Sequence, residues 1–150
     1  MHFESNRIEI PVCYETKYAP DLNRLAKYCN LTTEEVIKRH TASVYWVAMM
    51  GFLPGFVYLS GLENSLHCPR KAVPDLSVPS GSIAIGGGQT GLYSLASPGG
   101  WNVIGATPTK LLSFGSDSPI NINPLDEIQF VAIDEKTYSN IQDSVEKSRK

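Results

Sequence analysis

A run of glycines at residues 86–91, GGGQTG, is the first stretch whose spacing could support chemistry. It matches G-x-G-x-x-G, which binds dinucleotides when it joins a strand to a helix whose N-terminus faces the pyrophosphate. Residues 92–100 read LYSLASPGG, and a proline followed by two glycines leaves no room for that helix. No lysine follows the glycines, so a Walker-type phosphate loop is excluded as well.

The stretch from Leu76 to Thr109 contains no Asp, Glu, Lys or Arg. It offers neutral hydrogen-bonding groups beside aromatic surface, namely Gln89, Thr90, Tyr93, Ser94, Ser97 and Trp101. Such groups can satisfy the donors and acceptors of a small amide-like ligand, but they supply no strong general base. Two interpretations stay open, a ligand-binding loop and a bulged turn at the corner of a barrel.

Ionisable side chains must therefore come from outside this stretch. The nearest candidates are His67, Arg70, Lys71 and Asp75, with His40 more remote. Arg70 could hold a carboxylate through two parallel hydrogen bonds, although a surface role is equally open. His40 ends a predicted helix, where the helix dipole favours its charged form. The three histidines show no metal-ligand spacing.

Hydrophobic patterning predicts the elements that position these residues. Short apolar runs predict strands at residues 7–14, 44–49, 82–85, 101–106, 110–114 and 128–133. Residues 69–79 are predicted as a Pro-rich connection, and the polar tail from Glu135 as a short helix or a frayed end. This pattern indicates a mainly β fold, a closed or nearly closed barrel with helices at one edge.

Two short helices are predicted before the second strand. Asp21 is expected to cap the first, whose apolar positions are Leu22, Leu25, Ala26 and Cys29. Thr32 and Glu35 have the spacing of a capping box for the second helix, which is predicted to end near His40. Asn30 suits the turn between the helices.

Bulk properties narrow the class of protein. A length of 150 residues fits one domain. A net charge of -2 shows no excess of basic residues of the kind that binds nucleic acid. Three widely spaced cysteines predict no disulfide and no zinc site. The polar N-terminus and the glycine- and proline-interrupted apolar stretch predict neither a signal peptide nor a membrane span. We expect a cytoplasmic protein.

Several blocks together resemble a known family. They are IPVCY (10–14), PDL (20–22), EEVIKRH (34–40), GFLPGFVYLSGL (51–62), PR (69–70), VPSGSIAIGGGQTGLY (78–93) and SPGGWNVIGATP (97–108). Their order and spacing resemble the C-terminal domain of the KipI/PxpB family, also called allophanate hydrolase subunit 1 or carboxyltransferase subdomain C. The resemblance implies a cyclophilin-like β-barrel over residues 1–134, followed by a polar tail over 135–150.

The resemblance also implies a function. Members work with a second barrel subunit of the KipA/PxpC type and a third subunit of the PxpA type as an ATP-dependent 5-oxoprolinase. This chain is expected to bind no cofactor or metal, to be inactive alone, and to leave ATP to the assembled complex. Alternatives are an inhibitor of a sporulation-type histidine kinase and a carboxyl-transfer subunit related to urea carboxylase. Prolyl isomerase activity is suggested by the barrel alone and ranks lowest.

Site residues follow from the same resemblance, while catalytic residues remain unassigned. The implied substrate-binding positions are Phe52, Gly55, Phe56, Arg70, Gln89, Thr90, Gly91, Tyr93, Gly99, Gly100 and Trp101. Two departures from the family pattern are visible: Asp75 stands where members often have a second Pro-Arg, and Val44 stands where an acidic residue often precedes the tyrosine. If those positions touch substrate in relatives, the substrate of this chain differs.

Overall fold

A computed structural model describes residues 7–50, 56–109 and 126–147 of the chain. Within these ranges the strands are β1 (Arg7–Cys13), β2 (Tyr45–Met50), β3 (Phe56–Ser60), β4 (Asp75–Val78), β5 (Ser82–Gly86), β6 (Gln89–Tyr93), β7 (Ser97–Gly99), β8 (Asn102–Ala106) and β9 (Glu127–Ile133). The predicted strand at 110–114 lies outside the described residues. The mainly β prediction is confirmed.

Seven strands close into a barrel in the order β1-β8-β5-β6-β3-β2-β9. Neighbours are antiparallel except at the closure, where β1 and β9 run parallel in register from Arg7 with Glu127 to Cys13 with Ile133. The remaining two strands, β4 and β7, form a separate two-stranded sheet. That small sheet arises partly from the segment predicted as a plain connection, because β4 begins at Asp75.

Three helices flank the barrel among the described residues: α1 (Leu22–Tyr28), α2 (Thr33–Ala42) and α3 (Glu135–Lys147). The predicted capping box is confirmed, since the Thr32 hydroxyl accepts from the Glu35 amide and the Glu35 carboxylate accepts from the Thr32 amide. Asn30 adopts φ 59° in the turn before α2, a conformation that asparagine tolerates. The tail from Glu135 is helical, and its Tyr138 is buried against the barrel.

The barrel interior holds the main core. Strand alternation sends the apolar residues Ile10, Val12, Leu59, Leu92 and Phe130 inward, and the helices α1 and α2 contribute Leu25 and Val36 from their apolar stripes. A second, smaller cluster lies on the outer face of β5, β6 and β8, where Val78 of the small sheet packs against Ala84 and Val103. Among the described residues, no helix has the length and apolar character to cross a membrane.

Candidate functional site

Strand β6 divides the QTGLY sequence between two faces of the barrel wall. Thr90 and Leu92 face the interior, where both are buried. Tyr93 belongs to the outer cluster, and Gly91 on the same face contacts the ring of Phe56. Because side chains alternate along a strand, residues adjacent in this motif cannot all reach one pocket.

Four aromatic side chains meet on the outer face, and we call Phe56, Tyr58, Tyr93 and Trp101 the aromatic patch. The Phe56 ring centroid lies 4.8 Å from that of Tyr93, 4.9 Å from that of Trp101 and 4.5 Å from that of Tyr58. The contacts are tilted or edge-on, the arrangement that aromatic quadrupoles favour. Tyr93 and Trp101 are buried, whereas Phe56 and Tyr58 are half-buried. The patch is therefore a preformed apolar surface that is partly open to ligand.

Three glycines make room for these rings. A Cβ on Gly86 would lie 2.6 Å from the Trp101 ring, and one on Gly91 would lie 2.6 Å from the Phe56 ring. At Gly99 the added carbon would collide with the Tyr93 hydroxyl. Their lack of a side chain lets the aromatic rings rest on the backbone itself, which is a packing requirement and not a phosphate-binding one.

Gly87 and Gly88 form the tight turn between β5 and β6. Gly86 pairs with Gln89 across the hairpin, and Gly87 has φ +61°, which favours glycine there. The Gly87 amide donates to the Cys68 carbonyl at 2.8 Å, and the Cys68 amide returns a bond to the Gly87 carbonyl at 3.1 Å. The glycine run is thus a hairpin turn docked on residue 68, consistent with exclusion of a dinucleotide loop.

Arg70 is the exposed cation beside the patch. Its guanidinium carbon lies over the Trp101 ring, 5.7 Å from the ring centroid. A guanidinium at this distance is attracted by the ring quadrupole while its outer N–H groups stay available. The arrangement can bind a planar ligand against the rings and an anionic group of that ligand at Arg70.

Lys71 points away from solvent and is held by two carboxylates. Its Nζ lies 3.0 Å from Asp21 Oδ2 and 2.5 Å from Asp75 Oδ2, and its side chain is only 8% exposed. Burial by itself lowers the pKa of Lys71, but hydrogen bonds and attraction from Asp75 and Asp21 outweigh burial and raise it. Lys71 is therefore a charged, internally neutralised group.

The prediction that the Asp21 side chain caps α1 is wrong. Asp21 occupies the N-cap position, but its side chain makes no capping hydrogen bond. Asp21 Oδ2 instead accepts from the Val103 amide at 2.9 Å and from Lys71. The short Asp side chain cannot reach both sets of donors at once. Here it bonds to Lys71 and Val103, which are distant in the sequence, and not to the amides in the first turn of α1.

The prediction that His40 is a charged residue at a helix end is also wrong. His40 lies in the last turns of α2 but is fully buried inside the barrel and stacked on Phe130 with ring centroids 4.7 Å apart. Burial lowers its pKa from 6.5 to about 3, so the imidazole is neutral. The i, i+4 spacing from Val36 on the apolar face of α2 was the sequence signal for this burial.

Hydrogen bonds fix the tautomer of His40. Thr90 Oγ1 donates to the Ala84 carbonyl at 2.9 Å, so its oxygen accepts from His40 Nε2–H at 3.0 Å. The unprotonated Nδ1 then accepts from the Tyr14 hydroxyl at 2.6 Å. This chain of hydrogen bonds from Tyr14 to Ala84 joins the residue after β1 to α2, β6 and β5 through the barrel interior, and every member is satisfied.

The structure brings most of the predicted site residues together. Those at the aromatic patch are Phe56, Arg70, Gly91, Tyr93, Gly99, Gly100 and Trp101. Gln89 is half-buried at the start of β6, on the same face as Gly91. Thr90 lies on the opposite face and is engaged by His40. Phe52 and Gly55 lie outside the described residues. Tyr58, for which core packing and the lining of a pocket mouth were both open, was not among the implied substrate-binding positions, although its i+2 spacing from Phe56 puts it on the same face.

The chemistry open to this patch is binding. Burial raises the pKa of Tyr93, so its hydroxyl stays protonated near neutral pH. The described residues contain no group of three or more His, Cys, Asp or Glu placed to hold a metal ion. All three cysteines are free, as the sequence predicted, with Cys13 and Cys68 buried.

The family model for the carboxyltransferase domain, subdomain C and D, matches residues 2–122. The chain belongs to this family. The 5-oxoprolinase B subunit of Bacillus subtilis is 45% identical over 138 residues, which cover 91% of this chain and 58% of that protein. The corresponding protein of Escherichia coli O157:H7, with the same name, is 48% identical over 128 residues, covering 85% and 59%. The chain thus spans somewhat over half the length of these curated relatives.

Solved structures share the fold of this chain. A conserved uncharacterized protein from Pyrococcus horikoshii superposes with a TM-score of 0.84 at 43% identity, covering 89% of this chain and 62% of that one. The Kluyveromyces lactis urea carboxylase superposes with a TM-score of 0.72 at 17% identity, covering 95% and 16%. The second likeness shows a shared fold alone.

Proposed function

We propose that this chain serves within a subunit of an ATP-dependent 5-oxoprolinase-type hydrolase and that the aromatic patch with Arg70 binds the cyclic amide. The similarity at 43–48% identity to three proteins named as the B subunit of 5-oxoprolinase supports the reaction class. The single observation that carries the assignment of the site is the guanidinium of Arg70 above Trp101, at the rim of a neutral aromatic surface.

The chemistry of 5-oxoproline matches this surface. The molecule has a nearly planar lactam ring and one carboxylate. The ring would lie against Phe56 and Tyr58, the half-buried rings of the patch, and the carboxylate would meet Arg70. Gln89 would pair with the lactam amide through its own donor and acceptor. The neutral groups suit the uncharged lactam ring, and the cationic Arg70 suits the carboxylate attached to that ring.

The reaction needs more than this chain supplies. Opening a stable lactam with ATP requires a nucleotide site and proton-transfer groups, whereas the patch offers rings, amides and one guanidinium. In this proposal a second barrel subunit of the KipA/PxpC type and a third subunit of the PxpA type complete the site and use the ATP. The isolated chain then binds substrate without turning it over.

The experiment is ATP-dependent formation of glutamate from 5-oxoproline by the chain together with its two partner subunits. Arg70→Gln is expected to raise KM about tenfold or more, because it removes the charge-assisted bond to the carboxylate. Arg7→Gln is the matched control, since Arg7 is an exposed arginine at the far end of β1. An intact complex that forms no glutamate, or an Arg70→Gln complex with unchanged KM, would contradict the proposal.

Carboxyl transfer is the second candidate function. The observation that favours it is the matching family itself, which is described as a carboxyltransferase domain. The same patch would then bind the cyclic urea of a carboxylated biotin. Transfer of labelled carboxylate from carboxybiotin to an acceptor, with no glutamate formed from 5-oxoproline, would favour this candidate over the first.

A further inference from the structure

The segment that carries Arg70 is fixed on both sides. On one side, Asn102 Nδ2 donates to the Pro69 carbonyl at 3.0 Å and to the Ile85 carbonyl at 3.1 Å. On the other side, the Lys71 amide donates to the Gly100 carbonyl at 2.7 Å. Arg70 therefore projects from a short stretch of backbone that is pinned to β8 and to the residue before Trp101.

The side chain of Lys71 adds a second attachment. It brings a positive charge between Asp21 at the start of α1 and Asp75 at the start of β4. Asp21 also holds the Val103 amide, so the ion cluster ties the Arg70 segment to both α1 and β8. Removing the Lys71 charge would leave two neighbouring carboxylates without their shared cation, whereas removing one carboxylate leaves a balanced ion pair.

We propose that Lys71 is a positioning residue for Arg70, keeping its guanidinium on Trp101 by pairing with both Asp21 and Asp75. Without the Lys71 charge, the carboxylates of Asp21 and Asp75 lie close together with no cation between them. Arg70 is the neighbouring residue in the sequence and could take the place of that cation. Asp75 is 45% exposed on its side chain and is open to such a replacement partner. Arg70 would turn towards Asp75 and leave the aromatic patch, which would lose its exposed cation.

The expected effect of Lys71 on substrate binding rests on the proposed function, whereas its effect on the position of Arg70 does not. The first measurement is therefore structural and uses the full chain. The Arg70 guanidinium carbon lies over the Trp101 ring, so we expect the ring current to shift Arg70 side-chain protons upfield in the wild-type NMR spectrum. In Lys71→Met we expect these resonances to move to ordinary arginine values. Lys71→Arg retains the charge and is expected to keep the upfield shift.

A further pair of variants separates charge from shape. Lys71→Gln retains a hydrogen-bond donor for the carboxylates and removes only the charge, so it serves the same test if Lys71→Met fails to fold. In Asp75→Asn, Lys71 stays paired with Asp21 and no carboxylate is left unpaired. The chemical shifts of the Arg70 side-chain protons should therefore stay as in the wild type. Unchanged Arg70 resonances in a folded Lys71→Met or Lys71→Gln chain would overturn the proposal.

The kinetic measurement uses the assembled complex with 5-oxoproline and ATP. Lys71→Gln is expected to raise KM about tenfold with kcat within about twofold, because a displaced Arg70 weakens substrate binding without touching the reacting bond. Lys71→Arg should restore KM. If the wild-type complex forms no glutamate, the proposed function fails but the NMR result still decides the role of Lys71. A fall in kcat with unchanged KM would overturn positioning through Arg70.

Discussion

His40 Nε2 lies 3.0 Å from the Thr90 hydroxyl oxygen, in the interior of the barrel. This bond joins α2 to β6, the strand whose other face carries part of the aromatic patch. One face of β6 therefore takes part in a buried chain of hydrogen bonds, and its other face forms part of a partly exposed aromatic surface. The two faces can be tested separately.

The buried imidazole predicts a pH dependence of stability. Its pKa is about 3 in the folded chain and 6.5 in the unfolded one, so the unfolded chain binds the proton more tightly. The contribution to folding is complete above pH 6.5, is lost as the pH falls and levels off near 3. At about pH 5 the loss is about 2 kcal/mol, which urea denaturation can measure. His40→Gln should remove this part of the slope, and an identical slope in that variant would contradict the prediction.

Removing the Thr90 hydroxyl should destabilise the fold. Thr90→Val leaves His40 Nε2–H without its acceptor in a dry interior, and we expect a loss of about 1–3 kcal/mol in the free energy of unfolding. Thr90→Ser keeps the hydroxyl and is the matched control. If Thr90 instead contacts substrate, Thr90→Val would raise KM while the free energy of unfolding stays unchanged.

Gly91 should not accept a methyl group. The Cβ of Gly91→Ala would lie 2.6 Å from the Phe56 ring and 3.1 Å from the Val57 carbonyl oxygen, and we expect overpacking to cost about 2 kcal/mol. The control is Gly87→Asn, where nothing lies within 4 Å and asparagine tolerates the φ of +61°. Thermal unfolding of both variants gives the comparison. Equal melting temperatures would show that Phe56 moves aside freely.

The packing of α3 gives a fourth prediction. Tyr138 is 8% exposed and its ring centroid lies 4.3 Å from that of Tyr18. Tyr138→Ala should lower the free energy of unfolding by about 2 kcal/mol, because it empties a buried aromatic contact between the tail and the barrel. Tyr28→Ala removes a tyrosine that is 61% exposed and should change stability by less than about 0.5 kcal/mol. Similar losses in both variants would contradict a structural role for α3.

Local patterns predicted five of the nine described strands and both early helices, because the hydrophobic period and the capping residues of these elements are local features. Short apolar runs identified β1 and β9, and the Thr32–Glu35 spacing identified the start of α2. The strand predicted at residues 82–85 agrees with β5, whereas β3, β4 and β6 were not predicted. β7 was not predicted, because a three-residue strand containing Pro98 has too few positions to show a period.

Side-chain partners were harder to predict because they depend on distant residues. Asp21 sits at a helix N-terminus, yet its partners Lys71 and Val103 come from other parts of the chain. His40 was predicted as a charged residue at the end of a helix, because its partners Thr90 and Tyr14 lie far from it in the sequence. The family resemblance implied both Thr90 and Tyr93 as substrate-binding positions, whereas strand alternation places their side chains on opposite faces of β6.

The parallel pairing of β1 with β9 has a consequence for synthesis on the ribosome. Arg7 meets Glu127 across 120 residues, so the barrel cannot close until β9 has emerged from the exit tunnel. Until then a nascent chain exposes one edge of β1 and one edge of β2, both of which β9 later covers. The chain is therefore most open to wrong strand pairing and to chaperones in the interval before β9 emerges.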